Sequence, residues 1–141
     1  MSITTTLATL QAKHLAIVGI TTAPTNWPSS INTADLPMAI TLPAEGTWTT
    51  AAIGLDRQDR TYRIMVYVEP LGQRTVDERM DAVIPLIGSL GAAYLGDLGI
   101  AADTNIDQVQ LPITDSGPTV LTFAEIDYIG FEMRLTITEK G

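Results

Sequence analysis

The stretch Tyr128-Ile129-Gly130-Phe131-Glu132-Met133-Arg134-Leu135-Thr136-Ile137-Thr138-Glu139 decides the fold class. Phe131, Met133, Leu135 and Ile137 alternate with Glu132, Arg134, Thr136 and Thr138. Successive side chains of a strand point to opposite faces, so one face here is apolar and the other wet, the mark of a half-covered antiparallel sheet. A strand buried in a parallel sheet would be apolar on both faces. Tyr62, Ile64, Val66 and Val68 repeat the pattern against Thr61, Arg63, Met65, Tyr67 and Glu69, which predicts a second such strand. Val109, Leu111 and Ile113 predict another, and the turn Ser116-Gly117-Pro118 leads into one more over Thr119 to Ile126.

Two amphipathic helices are available to cover the apolar face. From Ile3 to Val18 the residues Ile3, Leu7, Leu10 and Ile17 share one side, with Ser2 or Thr4 as cap and Gly19 beyond the end. From Thr75 to Leu95 the residues Val76, Met80, Val83, Ile87, Leu90 and Tyr94 recur at steps of four and three. Thr75 with Glu78 resembles a capping box, Asp77, Glu78 and Asp81 suit the positive end of the helix dipole, and Gly96 is the expected stop. Pro85 removes an amide inside this helix and predicts a kink.

Between the helices, residues Gly19 to Gly46 contain Pro24, Pro28, Pro37 and Pro43, which predicts an extended loop with a short strand at Met38 to Leu42. Thr47 to Leu55 reads as a further strand, and Asp56-Arg57-Gln58-Asp59-Arg60 as the charged tip of a hairpin. The expected order is α-β-β-β-α-β-β-β. Helices and strands that are segregated in this way predict an α+β fold, a mainly antiparallel sheet with both helices packed on one face, as a single domain over residues 1–141.

Composition narrows the chemistry. Of 141 residues, 45 % are hydrophobic and 17 % charged, and sixteen acids against eight bases give a net charge of −8. That sign is wrong for wrapping phosphates, so direct nucleic-acid binding is not expected. No apolar run is long enough to span a membrane, and the first residues carry neither a basic secretory n-region nor an Arg-rich transit pattern, so the chain is expected to stay where it is made. Without cysteine there is no disulfide, thiolate nucleophile or iron–sulfur cluster, and the lone His14 leaves no multi-histidine metal site. A mean hydropathy of +0.20 with so few charges points to apolar surface buried between subunits.

No catalytic constellation emerges. His14 lies near the apolar stripe of the first helix with no nucleophile at a recognisable spacing, and reads as a packed helix residue. Asp103-Thr104-Asn105-Ile106-Asp107 starts like a calcium loop, but Gln108 and Thr114 stand where Gly and Glu are required, so a solvated acidic turn is expected, with at most weak Ca²⁺ binding at Asp97, Asp103 and Asp107. Gly88, Gly91, Gly96 and Gly99 belong to a helix and its end, with no Lys-Ser or Lys-Thr to make a phosphate loop. No catalytic, cofactor-binding or metal residue is assigned. Trp27, in the loop, and Arg57, Asp59 and Arg60, at the charged tip, are the candidate interface residues, while Trp48 is expected in the core.

The order of these segments resembles the tail terminator proteins of long-tailed bacteriophages, the lambda-like group in particular. The likeness is of pattern and length over nearly the whole chain. It is carried by the N-terminal helix, the connection with Asp35-Leu36-Pro37 and Leu42-Pro43-Ala44-Glu45-Gly46, and the strand Tyr62-Arg63-Ile64-Met65-Val66-Tyr67-Val68-Glu69. The helix Arg79-Met80-Asp81-Ala82-Val83-Ile84-Pro85-Leu86-Ile87 and the closing strand complete it. The resemblance implies a small α+β subunit of the virion, with no active site and no cofactor. Its implied partners are copies of itself in a hexameric ring, the tail tube protein and the head connector. An adaptor or stopper of the head-to-tail joint shares this size and symmetry, and is separated from a terminator by its contact partner. A small hydrolase and a ligand-binding domain stand outside the resemblance; the second predicts a monomer with a deep apolar pocket.

Overall fold

The structure is a computed structural model that describes residues 2–24, 26–50, 56–72, 77–96 and 106–140. Along the chain run α1 (Ser2–Leu15), β1 (Met38–Thr50), β2 (Asp56–Pro70), α2 (Met80–Leu95), β3 (Ile106–Asp115), β4 (Thr119–Phe123) and β5 (Ile126–Lys140). Single tight turns at Thr33–Asp35 and Asp77–Arg79 precede β1 and α2. The α+β class holds: all five strands join one antiparallel sheet in the order β1-β2-β5-β3, with β4 also paired to β5. Because β2 takes one edge of β5 from Tyr128 to Lys140, β4 and β3 share the other, one after the other.

Both helices lie on the same face. Leu10 and Ile17 at one end of the chain and Val83, Leu86, Leu90 and Tyr94 of α2 close over Tyr62, Ile64, Val66, Phe131, Met133, Leu135 and Ile137. The alternation in β2 and β5 thus does what its period requires. On the opposite face a smaller cluster of Met38, Ile40, Met65, Tyr67, Phe123 and Tyr128, supported by Ile31, Leu36, Leu42 and Leu121, covers the part of the sheet next to β4. Tyr67 meets Phe123 and Tyr128 edge-on, with ring centroids 6.0 and 5.6 Å apart. Where the β2–β5 register shifts between Tyr67 and Glu69, Gly130 lies so close to the Val66 carbonyl that any Cβ would strike it.

Several elements differ from expectation. The two strands expected at Met38 to Leu42 and Thr47 to Leu55 are one strand, β1, with a register shift between Pro43 and Gly46; residues 51–55 lie outside the described ones. Asp56 to Arg60 are not a hairpin tip but the first residues of β2, paired with Gly46 to Thr50. Charges that alternate between faces are tolerated in a strand whose ladder is intact on both sides, and β2 is paired with β1 and β5 here. The first helix ends at Leu15 instead of Val18, because the chain turns through Gly19 at φ +102, leaving Val18 94 % exposed. The second starts at Met80, after a tight turn, with Arg79 in the cap position and no side-chain cap; Thr75, half of the expected capping box, lies outside the described residues. It continues through Pro85 and stops at Gly96 as expected. Its buried residues are Val83, Leu86, Leu90 and Tyr94, so Leu86 takes the place expected for Ile87.

Candidate functional site

His14 is fully buried, and so is Thr6 two turns before it, so the buried side of α1 carries polar groups that hydropathy alone does not mark. Its Nε2 lies 2.5 Å from the Tyr94 hydroxyl and its Nδ1 3.4 Å from that of Thr41. A neutral imidazole has one donor and one acceptor nitrogen, and two hydroxyls can serve both. Burial, and then the charge of Lys13, push the His14 pKa down to about 3, while burial holds the Tyr94 hydroxyl well above its ordinary value. The cluster ties α1 to α2 and β1; it is a structural contact, in line with the reading of His14 as a packed residue. A second buried pair stands farther along the same face: Tyr62 donates to Glu139 Oε1, and Glu139 Oε2 has no hydrogen-bond partner among the described residues.

The other face, beyond the small cluster, is a polar ladder. Arg63 reaches Glu132 Oε1 through Nη2 at 2.5 Å, and Arg134 Nε donates to Glu132 Oε2 at 2.8 Å. Partial burial works against ionisation, yet these two guanidiniums hold the Glu132 carboxyl below its ordinary range. Thr61 and Thr136 meet at 3.3 Å, Thr138 donates to Asp59 at 2.8 Å, and Gln110 donates to Thr138 at 2.9 Å. These groups are engaged with one another across three strands.

Exposed apolar groups occur over much of the surface, among them Val18, Trp27, Ile84 and Val120, and they include one at each edge of the sheet. At the β1 edge Trp48 is 56 % exposed, not in the core as expected. Its partner Gln58 lies at the far end of the hairpin, where β1 and β2 run on past the pair Pro43–Tyr62, of which Tyr62 is buried in the core. The Arg60 guanidinium lies 5.9 Å from the Trp48 ring and donates to the Ala44 carbonyl at 2.8 Å and to Gln58 at 3.0 Å. Gly46 makes room for it: a Cβ there would come within 2.7 Å of the guanidinium.

At the β3 edge, residues between Gln110 and Thr114 leave the ladder with β5, around the cis Leu111–Pro112 bond. A groove of about 440 Å³ lies there between α2 and β3, with Met133 beneath, Ile87, Gly91 and Leu95 on one side and Leu111 and Ile113 on the other. Leu95 and Leu111 are each 60 % exposed, and Asp115 is the charged residue of the lining. The even alternation expected of Val109, Leu111 and Ile113 therefore breaks down: Val109 is buried and Leu111 faces out. Pro112 was the available signal, since proline inside a strand marks an edge or a bulge.

The four candidate interface residues do not form one patch. Arg57 is exposed, Asp59 accepts from Thr138 in the polar ladder, and Arg60 turns to the helix side to meet Trp48. Trp27 is half exposed on the other side of the sheet, its ring 5.1 Å from Phe123. The acidic turn around Asp97 and Asp103 lies outside the described residues, as does the side chain of Asp107, and among the described residues no three acidic or histidine side chains are placed to hold a metal ion. Among the described residues no helix is long and apolar enough to cross a membrane. The sequence matches no family model, and no curated protein matches it.

Proposed function

We propose that the chain is a structural subunit of a bacteriophage tail, a tail terminator whose copies form a ring on the end of the tail tube. The ring stops tube growth and offers the head connector its attachment surface, so the protein works in the virion and needs neither a cofactor nor a catalytic residue. The observation that carries the reading is an exposed apolar side chain at each edge of the sheet, Trp48 at the β1 edge and Leu111 at the β3 edge, with Leu95 of α2 beside the second. Two different surfaces at opposite edges suit a head-to-tail contact, which closes into rings, whereas a twofold dimer uses one surface twice. The pattern of elements that resembles tail terminators supports the same reading. The low charge of the chain fits a part that shares its surface with neighbours.

The test is tube growth. Purified tail tube protein is allowed to polymerise with and without this chain, and tube lengths and ends are measured by electron microscopy. Shorter tubes carrying a ring at one end are expected. Tubes of unchanged length with bare ends would overturn the terminator reading, and binding to the portal ring instead of the tube would turn it into that of an adaptor.

A further inference from the structure

We propose that the exposed Trp48–Arg60 pair at the β1 edge of one copy seats in the α2–β3 groove of the next copy, the indole against Leu95, Leu111 and Met133 and the guanidinium toward Asp115. The second copy is taken from the ring reading above; the two contact surfaces come from the structure.

Free strand edges ordinarily recruit one another through the main chain, but both edges here are interrupted. Pro43 in β1 and Pro112 in β3 lack an amide, and each lies at a register shift, between Pro43 and Gly46 and between Gln110 and Thr114. At these prolines the main chain has no amide to offer, which leaves side chains to carry a contact between the edges there. On one edge the structure offers a large aromatic ring held ready: the guanidinium beside it is fixed by Ala44 and Gln58, over a glycine that leaves it space. Aromatic and arginine side chains that are rigid before binding lose little freedom on docking and are the usual anchors of interfaces.

On the other edge the structure offers what such an anchor requires. The groove is apolar along its walls and floor, its volume of about 440 Å³ falls within the range of sites that bury a drug-sized molecule, and Gly91 leaves the helix side open. Asp115 gives it a charge opposite to that of Arg60. That carboxylate already accepts the Gly117 amide at 2.7 Å, which holds it in place. Anchor and groove lie on opposite edges of one sheet, so each copy presents both, to different neighbours.

Native mass spectrometry of the full chain from low to high micromolar concentration tests this with two variants that leave the core alone, Trp48→Ala and Leu111→Asp. Wild type is expected to form species of three or more subunits, and each variant to stay monomeric at concentrations at least tenfold higher, with unchanged circular dichroism and melting. Mixed one to one, the variants are expected to give heterodimers and nothing larger, since one retains only the groove and the other only the anchor. In a Trp27→Phe background, Trp48 emission is expected to shift to the blue as wild-type contacts form. Assembly of Trp48→Ala like wild type, absence of heterodimers from the mixture, or a wild type that stays monomeric throughout would each overturn the contact. The terminator reading falls on a different result, failure of wild type to cap tubes, so the two can fail separately.

Discussion

A second ring proton on His14 is unfavourable in the folded chain, because the imidazole is fully buried with its two nitrogens facing hydroxyls. Its pKa of about 3 in the fold lies below the ordinary 6.5, so the unfolded chain binds the proton more tightly. Stability from this group is complete above pH 6.5 and is lost as the pH falls toward 3, at a slope approaching ~1.4 kcal/mol per pH unit. Urea unfolding of wild type beside His14→Gln should show it: the difference in pH dependence between the two belongs to His14 and is expected within that window. Tyr94→Phe deletes the hydroxyl that meets Nε2 and is expected to cost about 1–3 kcal/mol at pH 7, the penalty for a buried polar atom left without a partner. The sequence shows His14 near an apolar stripe but not its partners, since Tyr94 lies 80 positions away and only the packing of α1 beside α2 brings them together.

The elements most legible in the sequence are those whose side chains obey one period throughout. β2 and β5 are such strands, and their alternation predicts both the sheet and its covered face. In the sequence β1 looks like two pieces, because Pro43 and Gly46 resemble an interruption, whereas the sheet absorbs them in a register shift. The turn from β4 to β5 gave no signal either: Ala124 and Glu125 occupy positive φ angles of 51° and 68°, where glycine or asparagine is usual. Replacing Glu125 with Gly is expected to raise stability by about 1 kcal/mol, as left-handed backbone costs a side-chain-bearing residue roughly that much; thermal melts of the two proteins check it. Gly130→Ala should act the other way, by about 1–3 kcal/mol or by failure to fold, because the added methyl meets the Val66 carbonyl. Chemical denaturation, or loss of soluble protein, reads that outcome.

Over the whole molecule, the class and the common face of the helices followed from periodicity, but the surfaces proposed for assembly did not. They depend on where the sheet ends and where β3 leaves its partner, which is a matter of pairing between distant segments. Core and surface are expected to part company under mutation. Leu90→Ala removes a fully buried side chain of the main cluster and should cost about 2–5 kcal/mol, whereas Trp48→Ala should change stability by no more than about 0.5 kcal/mol. Denaturation midpoints of the two variants at equal concentration, low enough to keep wild type dissociated, make the comparison. β5 has a further effect through its position late in the chain. β2 needs it on one edge, β3 and β4 pair with it on the other, and the residues of the main cluster close over it. While the ribosome is still translating toward Ile126–Lys140, β1 and β2 can pair but the sheet lacks its central strand, so the core closes only after that segment emerges. An interrupted message then yields a chain whose main cluster lacks Phe131, Met133, Leu135 and Ile137.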